Sequence, residues 1–494
     1  MGATLKPNYY DLLGVPPDAT PEEIRRAYHD SALQWHPDVN RNTEANDRFL
    51  LIKQAYEVLS NPITRKSYDQ ELLENNEEPV LTEILYSRPH LSILDEPQLL
   101  YVLLSFAANP KVVSAPAAPL NVCLVLDKST SMQGVRMDTV KEAAIELVRQ
   151  LGPQDQISIV AFSDRAEVLV PSGRRMERSR IETQIKMMRA SGGTEILQGL
   201  QAGYDEIIRF LTGSYINHLI LITDGRTYGD EDQCLQLAER FAAQGIRITG
   251  IGIGAEWNDI FLDELTGKTG GASFFISRTS DIRSLLQEKF EALRHVFAER
   301  VALNLKISEG ANLISIYRIQ PEPTVLSGSQ LFRLGSIPKD SKLSILMEFS
   351  VRKVESESSR VKIAEGELEV SLPFDSLHPY KAAIYLSRLT SNEVGTNIPP
   401  RPIFQALSQI NLYRMQERAR QEAAAGKVQE ASVRLQRLAT ELLNLGEVEL
   451  AHTAIMEAER IQQTQMLSAE GEKRIKYGTR AFLLPSGARE MDES

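Results

Sequence analysis

Three short stretches of this sequence carry oxygen ligands in a pattern that could hold a cation. Asp127-Lys128-Ser129-Thr130-Ser131 follows directly on the apolar run Asn121 to Leu126, and Thr223-Asp224-Gly225 follows a second apolar run, His218 to Ile222. Ser191-Gly192-Gly193-Thr194 lies in a loop between two helical stretches. Hydroxyls and carboxylates gathered at strand ends are hard ligands suited to an octahedral Mg²⁺ or Mn²⁺, and no thiolate or imidazole accompanies them to favour zinc. Taken singly, Ser and Thr in such places cap helices, and a lone D-x-S-x-S means little more. A fourth stretch, His36-Pro37-Asp38, taken alone is a helix stop, because Pro lacks an amide hydrogen and disfavours a helical residue before it.

The elements that must position these residues are legible from periodicity. Thr20 followed by Pro21-Glu22-Glu23 is a helix start, and Ile24, Ala27, Tyr28, Ala32 and Trp35 then recur on one face. A second amphipathic helix runs from about Glu44 to Ser60, closed by Asn61-Pro62. From Leu120 to about Val296, buried-type strands alternate with helices, which predicts a mostly parallel sheet covered on both faces. Ligands of such sheets sit at the carboxyl ends of the strands, where the oxygen-bearing stretches fall.

With these elements in place, two resemblances emerge. Tyr9-Tyr10-Asp11-Leu12-Leu13-Gly14-Val15, Glu22 to Tyr28, His36-Pro37-Asp38, Ala55 to Ser60 and Arg65-Lys66-Ser67-Tyr68-Asp69 together closely resemble a J-domain of the DnaJ family. The resemblance implies that His36, Pro37 and Asp38, with the basic face of the preceding helix at Arg25 and Arg26, engage a DnaK-type chaperone and stimulate its ATPase. One departure bears on this. His29-Asp30-Ser31-Ala32-Leu33-Gln34-Trp35 stands where family members usually carry several Lys or Arg, so Arg25 and Arg26 face Glu22, Glu23 and Asp30, and steering of an acidic partner is weakened. The alternating segment resembles a von Willebrand factor A domain with a metal-ion-dependent adhesion site. By that resemblance Ser129 and Ser131 offer hydroxyl ligands, Thr194 binds directly or through water, and Asp127 and Asp224 act mostly through water. A carboxylate from a protein partner then fills the open position of the cation.

The remaining sequence sets the organisation. The expected divisions are a J-domain at 1–74, a linker and β-strands at 75–119, the A domain at 120–298, further strands at 299–375, a helical hairpin or bundle at 376–472 and a flexible tail at 473–494. Leu81 to Tyr86 and Leu99 to Phe106 read as strands, the latter apolar at consecutive positions and so buried on both faces. Val301 to Ile307 and Glu367 to Leu372 alternate strictly. Both flanks therefore need partners, and the expected fold is multidomain: an all-α J-domain, a doubly wound α/β A domain inserted in a small β-sandwich, and a C-terminal α-helical segment. Gly426 to Ala431 and Gly446 to Ala451 open two similar helices twenty residues apart.

Composition narrows the class. With 42% hydrophobic and 24% charged residues and only 2 Cys in 494, the chain is neither collagen-like, disulfide-stapled nor mainly disordered. A net charge of −11 argues against coating nucleic acid. No signal-peptide core opens the sequence, no apolar run approaches the ~20 residues of a membrane span, and the Cys form no CxxC pair, so the expected setting is cytoplasmic. No Walker loop, G-x-S-x-G elbow or H-E-x-x-H motif occurs, and no enzyme activity is expected. The leading expectation is a co-chaperone that captures a protein through a Mg²⁺-bridged carboxylate and presents it to a DnaK-type ATPase. The alternatives are a metal-dependent binding scaffold, for example for an AAA-type ATPase assembly, whose J-domain only docks or is vestigial, and, more distantly, a metal-dependent hydrolase.

Overall fold

The computed structural model describes residues 9–481 apart from 16–18, 36–42, 75–77, 113–116, 174–176, 228, 353–359 and 392–397. His36, Pro37 and Asp38 lie outside the described residues.

The N-terminal unit is built from α1 (Tyr9–Leu13), α2 (Pro21–Trp35), α3 (Thr43–Leu59) and α4 (Pro62–Glu74). Thr20 and Glu23 form a reciprocal capping box at the start of α2: Glu23 N–H donates to Thr20 Oγ1 at 3.3 Å, and Thr20 N–H donates to Glu23 Oε2 at 2.7 Å. Tyr10, Leu13, Ile24, Ile52, Ala55 and Leu59 form the core, and Tyr28 stacks on Tyr56 with ring centroids 4.2 Å apart. The Arg65 to Asp69 stretch staples α4 to α1. Arg65 Nε donates to Tyr10 Oη at 2.9 Å, and Tyr10 Oη donates to Asp69 Oδ1 at 2.6 Å.

Three strands follow, β1 (Val80–Tyr86), β2 (His90–Ser92) and β3 (Gln98–Ala108), before the chain enters the α/β domain. That domain comprises β4 (Leu120–Asp127), α5 (Val135–Gln150), β5 (Gln156–Phe162), β6 (Ala166–Val170), α6 (Arg178–Met187), α7 (Ile196–Ile208), β7 (Ile216–Thr223), α8 (Glu231–Ala243), β8 (Arg247–Ile253), α9 (Asp259–Gly267), β9 (Ala272–Ile276) and α10 (Asp281–Arg294). The sheet order is β6-β5-β4-β7-β8-β9, parallel except for the edge strand β6, which the sequence pattern does not reveal. Every residue of β4 and β7 is buried, with α5, α6 and α10 packed on one face and α7, α8 and α9 on the other. From β4 the chain steps outward to β5 and β6, then returns to β7 on the opposite side of β4. The order therefore reverses between β4 and β7, and their carboxyl ends flank the crevice where such sheets bind ligands.

Through Gly199, α7 approaches the sheet closely. A Cβ there would lie 2.7 Å from the Phe162 ring and 2.9 Å from Val125 Cγ1. Ala is ordinarily worth about 1 kcal/mol over Gly inside a helix, but overpacking against a rigid ring costs ~1–3 kcal/mol. Gly199→Ala is thus expected to destabilise the protein by up to about 2 kcal/mol net, read as a lowered urea midpoint.

Beyond α10 come β10 (Val296–Ile307), β11 (Ala311–Gln320), β12 (Thr324–Val325), β13 (Leu331–Pro338), β14 (Lys342–Val351), β15 (Arg360–Leu372) and β16 (Asp375–Ser391). They join the earlier strands in two five-stranded sheets, β1-β3-β14-β11-β12 and β13-β10-β15-β16-β2. One core unites them, with Val102, Leu104 and Phe106 from before the α/β domain packed among Leu303, Phe332, Phe349 and Leu368 from after it. Arg360 Nε also donates to Glu23 Oε1 at 2.6 Å, tying the sandwich to the cap of α2.

The C-terminal helices are α11 (Arg401–Ala424), α12 (Val428–Asn444), α13 (Val448–Thr464) and α14 (Ala469–Ala481). Ile403, Ala406, Ile410 and Tyr413 of α11 cover the outer face of the first sheet over Leu103, Tyr317 and Leu346. This is why β3 is apolar at consecutive positions.

Two expectations are corrected. The sequence pattern predicts helix from residue 376, whereas β16 runs to Ser391 along β15. Its Lys, Ala and Leu content favours helix locally, but alternate burial of Ile384 and Leu386 against the sandwich core overrides propensity. Residues from 473 were expected to form a loose tail, whereas α14 extends to Ala481 and buries Lys473, Ile475, Lys476, Thr479 and Arg480. Its polar sequence conceals this because the burial is compensated by charge, not by an apolar stripe.

Candidate metal centre

The end of β4 brings Asp127 to the crevice with its backbone still paired in the sheet. Both carboxylate oxygens are engaged: Ser129 N–H donates to Oδ1 at 2.8 Å and Thr223 Oγ1 donates to Oδ2 at 2.6 Å. The chain then makes a short 3-10 turn at Thr130–Met132, which turns Ser131 back toward Ser129. The two hydroxyls lie 3.0 Å apart, and Ser131 Oγ donates to Asp224 Oδ1 at 2.6 Å across the crevice. Asp224 Oδ2 is paired with Arg136 Nη1 at 2.6 Å.

The third loop is zipped onto the first by main-chain bonds. Ser191 N–H donates to Lys128 O at 2.7 Å, and Thr130 N–H donates to Gly192 O at 3.1 Å. Asp164 Oδ1 accepts the Gly193 N–H at 2.8 Å. Thr194 consequently sits against Gly225: a Cβ at that position would fall 2.7 Å from Thr194 Oγ1. Gly225 is thus the residue type that admits the threonine to the site.

Asp127, Ser129, Ser131 and Asp224 form one hydrogen-bonded cluster, and Thr194 stands beside the glycine that follows Asp224. Asp127 and Asp224 are 0% and 1% exposed. Burial, with a further contribution from the Asp224 charge, pushes the Asp127 carboxyl up to about 6 against the hydrogen bonds from Thr223 and Ser129. Of the two buried carboxylates only Asp224 has a guanidinium partner among the described residues, the partly exposed Arg136, which leaves a deficit of positive charge, and the groups around them are neutral hydroxyl oxygens. This donor set suits a small hard dication. Among the described residues no three His, Cys, Asp or Glu side chains gather in a metal-binding group, so the cluster is a mixed hydroxyl–carboxylate site.

The sequence places Thr223 in an oxygen-bearing stretch without giving it a role, and does not point to Arg136 or Trp257. Thr223 adjoins Asp224, and its role emerges only when β4 and β7 become neighbours. Arg136 lies on the first turn of α5, nine residues after Asp127, with no local signal pointing it at Asp224. The Trp257 indole is 1% exposed and donates to Gly254 O at 2.8 Å, holding a loop whose Glu256 O accepts Arg226 Nε at 2.7 Å. That loop is gripped from the other side by α14, where Lys473 Nζ donates to Ala255 O and to Trp257 O. Of the residues expected to meet a chaperone, Arg25 and Arg26 are exposed on α2.

The fold and the cluster define a class of protein: a doubly wound α/β domain that presents hydroxyls and carboxylates at its switch point, set into a sandwich and preceded by a small helical unit. Residues 121–289 match the family described as von Willebrand factor type A domain, and residues 8–69 match the DnaJ domain. Residues 401–485 match the family described as Sll0103-like, C-terminal alpha-helical domain. The chain therefore carries a DnaJ domain, a von Willebrand factor type A domain and an Sll0103-type helical domain.

It is 29% identical over 238 residues to the Synechocystis protein sll0103, covering 46% of this chain and 56% of that protein. It is 58% identical over 66 residues to the chaperone protein DnaJ of Caldicellulosiruptor bescii, covering 13% of this chain and 17% of that one. The chain thus spans little more than half of the first relative and under a fifth of the second. Among solved structures, a von Willebrand factor type A protein from Catenulispora acidiphila aligns with a TM-score of 0.66 at 16% identity, over 81% of this chain and 96% of that one. The ArnB paralog VWA2 from Sulfolobus acidocaldarius aligns with a TM-score of 0.51 at 15% identity, over 83% and 100%. At these identities the likeness is one of fold. Among the described residues no helix is long and apolar enough to cross a membrane.

Proposed function

We propose that this chain is a cytoplasmic co-chaperone adaptor. Its A domain captures a protein through a divalent cation, and its DnaJ domain brings that protein to a DnaK-type chaperone and stimulates the chaperone's ATPase. The observation that carries the reading is the conjunction, in one chain, of a DnaJ domain and a buried cluster of hydroxyls and carboxylates at the switch point of the A domain. Asp127, Ser129, Ser131, Thr194 and Asp224 would hold Mg²⁺ or Mn²⁺. When bound, the cation supplies a Lewis-acidic position that a carboxylate from a partner can fill. In this reading the chain performs no catalysis of its own and its partners are proteins, not nucleic acid or membrane. Support for a cytoplasmic setting comes from Cys123 and Cys234, which are free and buried.

The test is the ATPase rate of a DnaK-type chaperone titrated with the full chain. Wild type is expected to raise the rate saturably, and His36→Gln to abolish the rise while leaving the circular dichroism and melting of the chain unchanged. An unchanged ATPase across the whole titration with wild type would remove the co-chaperone half of the proposal.

A second reading, a metal-dependent scaffold whose DnaJ domain only docks, draws on the charge of α2. Arg25 and Arg26 share that helix with Glu22, Glu23 and Asp30, and Glu23 is also held by Arg360 of the sandwich. On this reading wild type and His36→Gln bind the chaperone or the ATPase assembly alike and stimulate neither.

A further inference from the structure

Where the A domain meets the sandwich, a cleft of about 130 Å³ is lined by Arg247 and Thr269 from the first and by Glu299, Arg300, Arg333 and Glu369 from the second. Arg247, on β8, is 6% exposed. Its Nη1 donates to Ser336 Oγ at 2.8 Å and its Nη2 lies 3.4 Å from Glu322 Oε2, but its Nε has no partner among the described residues. A guanidinium N–H left unpaired at that depth costs about 1–3 kcal/mol. Native interiors seldom leave such a donor orphaned without a water, an ion or a ligand to meet it.

Two further guanidiniums converge on the same space from β10 and β13. Arg300 lies flat against the bare backbone of Gly245, whose φ of +73° and lack of a side chain admit it. Arg333 projects from the neighbouring strand, two register positions away, at an exposed site. Among the described residues neither guanidinium makes an ion pair or a hydrogen bond. The acids of the cleft do not neutralise this charge. Glu299 is buried and accepts the Asn217 N–H, and burial pushes its carboxyl up to about 8, so it is mostly protonated at neutral pH. Glu369, at the rim, already has Lys381 Nζ within 3.5 Å.

We propose that this cleft binds a phosphate group, held by Arg247, Arg300 and Arg333. Planar guanidinium forks match the oxygens of phosphate pairwise, a dianion answers the positive charge of Arg300 and Arg333, and its acceptors also reach the orphaned Nε–H of Arg247, whose own charge is met by Glu322. Chloride offers no such directional set, and a carboxylate has oxygens for fewer of the donors. Because the cations come from both domains, the bound group also bridges the junction between the A domain and the sandwich. The phosphate is either free orthophosphate or the phosphate end of a small metabolite.

The test is calorimetric titration and thermal melting of the full chain in EDTA, with orthophosphate, glycerol 3-phosphate and, at matched ionic strength, chloride. Saturable orthophosphate or glycerol 3-phosphate binding, with a raised melting temperature, is expected for wild type and not for chloride. Arg300→Gln combined with Arg333→Gln is expected to weaken it at least tenfold. Arg300 also packs on Gly245, so Arg333→Gln alone, an exposed change, separates binding from folding and is expected to weaken binding severalfold. Tighter binding of a phosphate monoester, glycerol 3-phosphate, than of orthophosphate identifies a metabolite's phosphate end as the source, and tighter or equal orthophosphate binding identifies the free ion. Absence of saturable binding by both anions, or unaltered binding by the folded Arg333→Gln and double variants, overturns the proposal.

Discussion

Asp127→Asn is expected to weaken Mg²⁺ binding by about 10–100-fold, the range found when a residue that orients metal ligands is lost. The same variant, free of metal, is expected to be at least as stable as wild type. Asparagine is isosteric and can keep both contacts, its oxygen accepting from Ser129 N–H and its amide turned toward the Thr223 hydroxyl. It also removes a buried negative charge that burial and Asp224 disfavour. Wild type should gain about 2.7 kcal/mol of stability at a Mg²⁺ concentration 100 times its Kd, and the variant only about 0.4–1.4 kcal/mol at the same concentration. Calorimetric titration and melting with and without Mg²⁺ read both effects. Equal Mg²⁺ affinity in variant and wild type would contradict the assignment of Asp127.

The largest structural effect is expected where α14 docks on α9. Arg480 pairs with Asp263 through two bonds, at 2.7 and 3.0 Å, and Lys476 reaches Asp263 at 2.8 Å and also pairs with Asp259. Arg420 of α11 meets Asp259 at 3.0 Å. Removing one member strands the others' charge in a poorly hydrated interface, which costs about 3–5 kcal/mol. Arg480→Ala is therefore expected to lower stability by that order and to expose the amides of α14 to hydrogen exchange. Asp263→Asn leaves Lys476 and Arg480 short of a counter-charge and should act similarly. Loss of less than ~1 kcal/mol in both variants, the range of an exposed pair, would show that the cluster is solvated.

This cluster also sets a pH dependence. Burial by itself would raise the Asp263 carboxyl, but Arg480 and then Lys476 outweigh it and hold the group well below the usual carboxylate range. A depressed folded value means that the contribution is fully present above the unfolded value near ~4 and is lost as pH falls below it toward the folded value. Asp263→Asn should flatten the acid limb of the stability profile between about pH 4 and pH 2 while leaving its shape above pH 5 unchanged.

How much of this was legible in the sequence depends on whether the cause is local. Thr20, Pro21 and Glu23 act on their own backbone, and β4 and β7 are buried on both faces, so their character shows in the residues themselves. Asp127, Ser129 and Ser131 could be grouped because a strand end must carry them to one crevice. Thr194 and Asp224 join them through chain order alone. Thr223 and Arg136 reach the site through tertiary neighbours: Thr223 bridges to Asp127 only because β7 lies beside β4, and Arg136 crosses to Asp224 from another element. The same reason hid β16 and α14. Local propensity reads Ala382, Ala383 and Leu386 as helical, and charge reads Lys473, Lys476 and Arg480 as solvated. In the fold, β15 supplies the first with a pairing partner, and Asp259 and Asp263 supply the second with counter-charges.

In the proposed function one chain carries two separable sites, a metal-dependent one for a protein ligand and a DnaJ-domain one for a chaperone. The most direct test is an affinity capture by the full chain in Mg²⁺ and in EDTA, comparing wild type with Asp127→Ala and His36→Gln and scoring the DnaK-type chaperone separately from other captured protein. The account predicts that EDTA and Asp127→Ala release the ligand while sparing chaperone binding, and that His36→Gln does the reverse. Retention of the ligand in EDTA, or loss of the same proteins from both variants, would contradict it.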